Sequence, residues 1–207
     1  SALEEWLTRS ELPYRASSEA LISLGKQRKE AHLPTLERFA DDSGWWGWVR
    51  RGALMGLGQS RVPQALPLLR RISSEAKELV QVRLAAIEAL AIYSSWQDRA
   101  RRDEICELLA DLCRDPLYNI RRAAGRALLS AGDARHAATL EALCGQLSIQ
   151  DIPSIERGLT RLGTRNDISK TRALEDTVSR LNEKLRALQN RIESLESDPD
   201  DSSKDPT

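Results

Sequence analysis

Small and apolar residues return along this chain at helical spacing, in blocks that open with an apolar residue and an arginine. The openings read Val49-Arg50-Arg51-Gly52-Ala53, Val82-Arg83-Leu84-Ala85-Ala86 and Ile120-Arg121-Arg122-Ala123-Ala124. Each block runs on to a leucine followed by a small or apolar residue: Leu24-Gly25, Leu57-Gly58, Leu90-Ala91, Leu128-Leu129 and Leu162-Gly163, at spacings of 33, 33, 38 and 34. A period of about 34 residues signals stacked helix pairs. The first two units share Ala20, Leu21, Leu24, Gly25, Leu33, Pro34, Leu36 and Arg38 with Ala53, Leu54, Leu57, Gly58, Leu66, Pro67, Leu69 and Arg71. Small residues early in each block let one helix lie close to its neighbour. Gly25, Gly58 and Gly132 are expected to end the first helix in the left-handed conformation. Pro34 and Pro67 fit the first turn of a second helix, where a missing N–H costs little. The second helix shows Leu33, Leu36 and Phe39 on one face in unit one, Leu66, Leu69 and Ile72 in unit two, and Ala137, Leu140, Leu143 and Leu147 in unit four.

Unit three carries the 38-residue spacing, which predicts a long connection from roughly Tyr93 to Asp103. Unit five keeps Ile155, Leu159, Leu162 and Gly163 without the Val-Arg opening, as a degraded terminal unit would. Residues 3–7 predict a helix ahead of unit one.

From about Asn166 the period changes. Leu174, Val178, Leu181, Leu185, Leu188, Ile192 and Leu195 alternate spacings of 4 and 3, the pattern of a coiled-coil seam. The other faces are polar, so the stripe needs a cover: a second copy, another protein, or the repeat array itself. In a parallel pair Arg191 would face Glu196 of the other helix, and Asn182 falls off the seam. The end of the chain, Ser197 to Thr207, is acidic with no apolar residue beyond proline and is expected to be disordered. The predicted domains are a helical-repeat solenoid at 1–165, a coiled-coil helix at 166–197 and a disordered acidic tail at 198–207.

Composition narrows the function. Lys+Arg and Asp+Glu are both 31, which argues against nucleic acid as a partner. No apolar run reaches the roughly 18 residues of a membrane span, and no secretory pattern is visible. The chain opens on Ser1, which suggests an excised or processed piece. Three cysteines in helical stretches fit reduced thiols and a cytoplasmic setting. Cys106, Cys113 and Cys144 lack the short spacings of a zinc site, so no metal and no cofactor are expected. His32 and His136 stand near the start of second helices in different units, with no His-Glu-x-x-His. No nucleophile elbow and no phosphate loop occur. No catalytic residue is therefore assigned, and the chain is read as non-enzymatic.

Two groups remain. Trp45, Trp46 and Trp48 crowd the entrance to unit two. They either wedge between layers or form an exposed anchor for a partner domain, since Trp is enriched at binding hot spots. Arg50, Arg83 and Arg121 recur at one position and are expected to tie layer to layer through acids or carbonyls around Asp42 and Asp115. Arg99, Arg101 and Arg102 are expected on a solvated face.

The unit Ile120 to Leu128 with Gly132-Asp133, preceded by Asp115-Pro116, resembles the HEAT-repeat family over about residues 14–163. This implies an all-α fold: an α-solenoid of about five helical hairpins followed by the coiled-coil helix. The order Tyr14-Arg15-Ala16, Ala20-Leu21, Asp42-Ser43-Gly44-Trp45-Trp46, Val49 to Leu54 and Ala65 to Leu69, with Leu3 to Leu7 ahead, resembles the C-terminal HEAT-repeat region of aminopeptidase N-type zinc metallopeptidases. That resemblance implies a scaffold, chamber wall or partner surface; the peptidase motifs themselves are not in this chain. The repeats are also similar to the HEAT-like repeats of phycobilin lyases. The readings are a non-catalytic scaffold within a peptidase-like protein, a stand-alone adaptor, or a lyase subunit. The expected partners are protein, including the parent chain's catalytic domain or a second copy, with no nucleic acid and no membrane.

Overall fold

The computed structural model describes residues 2–7, 13–41 and 47–196. Asp42, Trp45, Trp46 and the acidic tail lie outside the described residues, as do the side chains of Arg191, Ile192, Leu195 and Glu196. Every regular element among the described residues is helical. The helices are α1 (Ala2–Leu7), α2 (Tyr14–Lys26), α3 (Leu33–Asp41), α4 (Trp48–Ser60), α5 (Ala65–Ser74), α6 (Val80–Ser94), α7 (Arg99–Leu112), α8 (Tyr118–Ala131), α9 (Ala137–Cys144) and α10 (Ile152–Glu196). Short 3-10 turns at Glu30–His32 and Ala134–His136 lead into α3 and α9. The chain divides into two compact units, Ser1–Leu162 and Gly163–Thr207.

The first unit is an α-solenoid. The first helices of successive repeats form one layer: α2 packs on α4, α4 on α6 and α6 on α8. The second helices α3, α5 and α7 lean on the first helix of the next repeat, α4, α6 and α8. This geometry explains the composition. A middle helix such as α6 is covered on several sides, and nine of its fifteen residues are buried. An outer helix such as α5 buries one stripe, Ala65, Leu69 and Ile72. The aligned repeat leucines Leu21, Leu24, Leu54, Leu57 and Leu90 are fully covered. Burying one such side chain stabilises the fold by about 2 kcal/mol.

Gly25 and Gly58 do not end helices. Both lie inside α2 and α4, buried where neighbouring first helices touch. A Cβ on Gly25 would collide with the backbone of Gly56, and one on Gly58 would meet the Ala89 carbonyl oxygen at 2.7 Å. Glycine here permits close approach. Gly132 does follow α8, yet its backbone is extended (φ −83, ψ −176). The left-handed positions after α2 and α4 belong instead to Arg28 (φ 56) and Arg61 (φ 61). A side chain held there costs roughly 1 kcal/mol or more.

The long connection expected in unit three is absent. Only residues 95–98 separate α6 from α7, and the added length lies mostly in α7, with 14 residues against 10 in α5. The Asp98 carboxylate accepts from the Arg101 N–H at 2.9 Å and starts this polar helix. In the fifth repeat Ile155 and Leu162 are buried. Its first helix is the beginning of α10, with Ile155 and Gly158 close to Gly125 and Leu129 of α8. No second helix follows there; α10 continues through the heptad residues.

Candidate interaction surfaces

The recurring arginines tie layers together, through partners the sequence did not name in full. Arg50 of α4 is buried. Its Nε donates to the Ala40 carbonyl at 2.7 Å, and both terminal nitrogens bind Glu78, at 2.8 and 2.5 Å. Arg83 of α6 repeats the arrangement, donating to the Ser73 carbonyl at 2.9 Å and to Asp115 at 2.5 Å. Each guanidinium joins the preceding second helix to the turn ahead of the following first helix. The bonds from Arg50 hold the Glu78 carboxyl below the usual range, even though partial burial pushes it up. Arg121 departs from the pattern and donates to the Asp115 and Pro116 carbonyls at 2.9 and 3.0 Å. The acid of that layer, Asp151, is taken by Arg122 and Arg126 at 3.5 and 3.3 Å and by the Tyr118 hydroxyl at 2.6 Å. The Tyr118 hydroxyl is the main cause of the lowered Asp151 pKa. Arg50 and Arg83 are thus consumed inside the fold and offer nothing to a ligand. Arg99 is exposed, while Arg102 is half-buried with its Nε 3.4 Å from the Ser94 carbonyl.

The other chemical candidates are structural as well. His32 lies in the turn before α3, buried between Glu4 (2.9 Å at Nδ1) and Gln27 (3.1 Å at Nε2). His136 is buried at the matching turn, with Asp133 at 3.5 Å and Glu107 at 3.9 Å. Burial pushes the Cys106 thiol up to about 11 and Cys113 up to about 12, which suppresses the reactive thiolate. Among the described residues no group of three or more His, Cys, Asp or Glu is placed to hold a metal. A groove of about 550 Å³ runs beside α5, lined by Pro63, Leu66, Pro67, Arg70, Arg71, Ser74 and Glu104. The Arg70–Glu104 ion pair (2.7 Å) crosses between helices there, and the lining has no nucleophile with a base beside it.

Two exposed apolar features remain. Trp48, at the start of α4, is 54 % exposed rather than wedged between layers. It belongs to a wider rim: Tyr14, Leu79, Leu117 and Ile149 also stand exposed at the entries to first helices. Sequence reasoning missed this rim, although Leu79 and Leu117 each stand four residues ahead of a recurring arginine. The second feature is the heptad stripe. Leu174, Val178, Leu181, Leu185 and Leu188 are between 54 and 66 % exposed on α10. The turn edge formed by Arg28, Arg61 and Trp96 was also missed.

The fold therefore defines an α-helical repeat solenoid. Residues 1–91 match the family model for HEAT repeats. No curated protein matches the chain. Among the described residues no helix is long and apolar enough to cross a membrane.

Proposed function

We propose that this chain is a non-catalytic protein-interaction scaffold whose solenoid binds protein and whose heptad helix pairs with a second copy as a coiled coil. One observation carries the pairing: five consecutive seam residues of α10 stand bare in water. An exposed apolar stripe this long marks an interaction face. With Val178, Leu185 and Ile192 at position a and Leu174, Leu181, Leu188 and Leu195 at d, the sequence places Lys170, Thr177, Lys184 and Arg191 at g and Glu175, Asn182, Gln189 and Glu196 at e. A parallel pair sets each g against an e of the partner, opposite or neutral in charge. An antiparallel pair sets basic g against basic g. Charge therefore favours the parallel arrangement, and β-branched residues at two of the a positions favour two strands.

The test is sedimentation equilibrium on the chain with and without residues after 165. Pairing predicts that the full chain sediments at twice its single-chain mass and the shortened chain at its own single-chain mass, and that Leu188→Cys crosslinks copies under mild oxidation. An unchanged association state on truncation sinks the pairing.

The order of segments that resembles the end of aminopeptidase N-type peptidases supports a finer reading, in which the solenoid packs against a catalytic domain of the parent protein. An upstream His-Glu-x-x-His in the same reading frame tests it; a stand-alone frame favours an adaptor. The buried thiols suit a reducing, cytoplasmic setting.

A further inference from the structure

We propose that Arg28, Arg61 and Trp96 form a binding site for a carboxylate-rich segment of a partner protein. The three residues occupy the turns that follow α2, α4 and α6, so packing of those helices side by side brings them to one edge of the solenoid. The Arg61 guanidinium lies over the Trp96 ring, 3.3 Å from its centroid, and that of Arg28 stands 5.9 Å from the same centroid. An aromatic face holds a cation in place without neutralising it. Elsewhere in the solenoid arginines meet acids: Arg51 binds Glu88, Arg70 binds Glu104, Arg71 binds Asp41 and Arg135 binds Asp103. Among the described residues neither Arg28 nor Arg61 has a carboxylate partner, and the buried Arg61 Nε has no acceptor. The nearby acids in these turns are engaged: Glu30 accepts from the Gln64 amide at 2.6 Å, and Asp98 caps α7. Lys26 and Lys29 flank Arg28 in the chain and add to the positive edge.

The backbone supplies an independent argument. Arg28 and Arg61 are the only non-glycine residues with positive φ among the described residues, and they stand at equivalent repeat positions. Glycine would sit there without strain. The fold keeps strained arginines at both places, and both side chains turn to one ring. Removal from water and the neighbouring Arg28 charge push the Arg61 pKa down, the condition an incoming carboxylate would relieve. A guanidinium takes a carboxylate through two parallel hydrogen bonds. The half-exposed Trp96 ring adds apolar contact for the rest of an extended segment. Nucleic acid fits less well. The formal charge is zero, and the Trp96 ring already carries the Arg61 guanidinium over one of its two faces, which halves the surface left for a base to stack on.

This inference rests on the scaffold reading of the solenoid. It is independent of heptad pairing, which mass alone reports, so the two fail separately. The test is a fluorescence-anisotropy titration of a labelled decaglutamate peptide into the full chain at low salt. The double variant Arg28→Gly, Arg61→Gly removes both cations and both strained conformations. It should bind at least about tenfold more weakly while its thermal midpoint stays level or rises. Arg28→Gln, Arg61→Gln keeps the side-chain length and serves as a second variant. Trp96→Ala should weaken binding less than either. Absence of saturable binding, equal affinity of wild type and both double variants, or tighter binding of an oligothymidylate overturns the proposal.

Discussion

Leu57 and Leu181 are the same side chain on the same kind of helix, yet Leu57 is fully buried and Leu181 is 55 % exposed. The difference lies in how many neighbours each helix was built to have. In α4 the apolar and small residues spread around the cylinder, and α2, α3, α5 and α6 all pack against it. The heptad part of α10 carries two apolar positions in seven, a stripe wide enough for one partner helix. The solenoid therefore takes its stability from within the chain, while the heptad segment leaves its apolar stripe exposed.

The sharpest way to break this comparison is to place a carboxylate in each position. Leu57→Asp buries a charge with no partner, at a cost of several kcal/mol out of a total stability of about 5–15 kcal/mol. The cooperative helical melt followed by circular dichroism should disappear. Leu181→Asp should leave the solenoid's melting temperature within about 2 °C and remove self-association instead. A folded Leu57→Asp protein would mean that the repeat register is misassigned. A still-associated Leu181→Asp protein would place the stripe outside the interface.

The two regions were unequally legible for physical reasons. The register of the first helices could be read from Leu24, Leu57, Leu90 and Leu128, because burial at a fixed period leaves a direct mark on residue type. The heptad stripe could be read only as a pattern, apolar residues at alternating spacings of 4 and 3, because no burial goes with it on α10. The role of Gly25 and Gly58 could not. A glycine near a helix end and a glycine at a helix crossing look alike until the neighbouring backbone is placed. The acid for Arg50 could not be read either, since Glu78 lies 28 residues ahead in the chain and meets it only once the layers stack. The turn edge was hidden because its members differ in type: Arg28 and Arg61 share a repeat position, whereas the third member is an aromatic residue, Trp96.

A smaller effect sharpens the contrast inside the solenoid. Arg83→Ala leaves the Asp115 carboxylate and the Ser73 carbonyl without their donor. Breaking such a buried pair should cost about 3 kcal/mol, lowering the melting temperature by roughly 6–12 °C. Arg121→Ala, which loses partly exposed carbonyl contacts and a distant contact with the Tyr118 ring, should cost less, about 1 kcal/mol. Equal losses for the two would show that the buried ladder contributes no more than surface arginines do.

A milder change than Arg83→Ala tests the same ladder through pH. The Glu78 carboxyl is held below its ordinary value by bonds from Arg50, against the upward push of partial burial. A carboxylate with a depressed folded-state pKa contributes stability above its unfolded pKa, near 4.3, and loses that contribution as pH falls through the folded value. Glu78→Gln keeps the shape and removes the charge. Urea unfolding at pH 7 should show a loss of about 2 kcal/mol for the variant. That gap should hold between pH 7 and pH 5, because the carboxylate is ionised in both states throughout. It should begin to close as pH falls below the unfolded-state value and vanish once pH has passed through the depressed folded value, where the wild-type carboxyl takes up its proton and the pair is lost. A gap that persists unchanged into strong acid would mean that Glu78 serves as a neutral hydrogen-bond acceptor, and that the solenoid layers are joined by packing and backbone carbonyls rather than by charge.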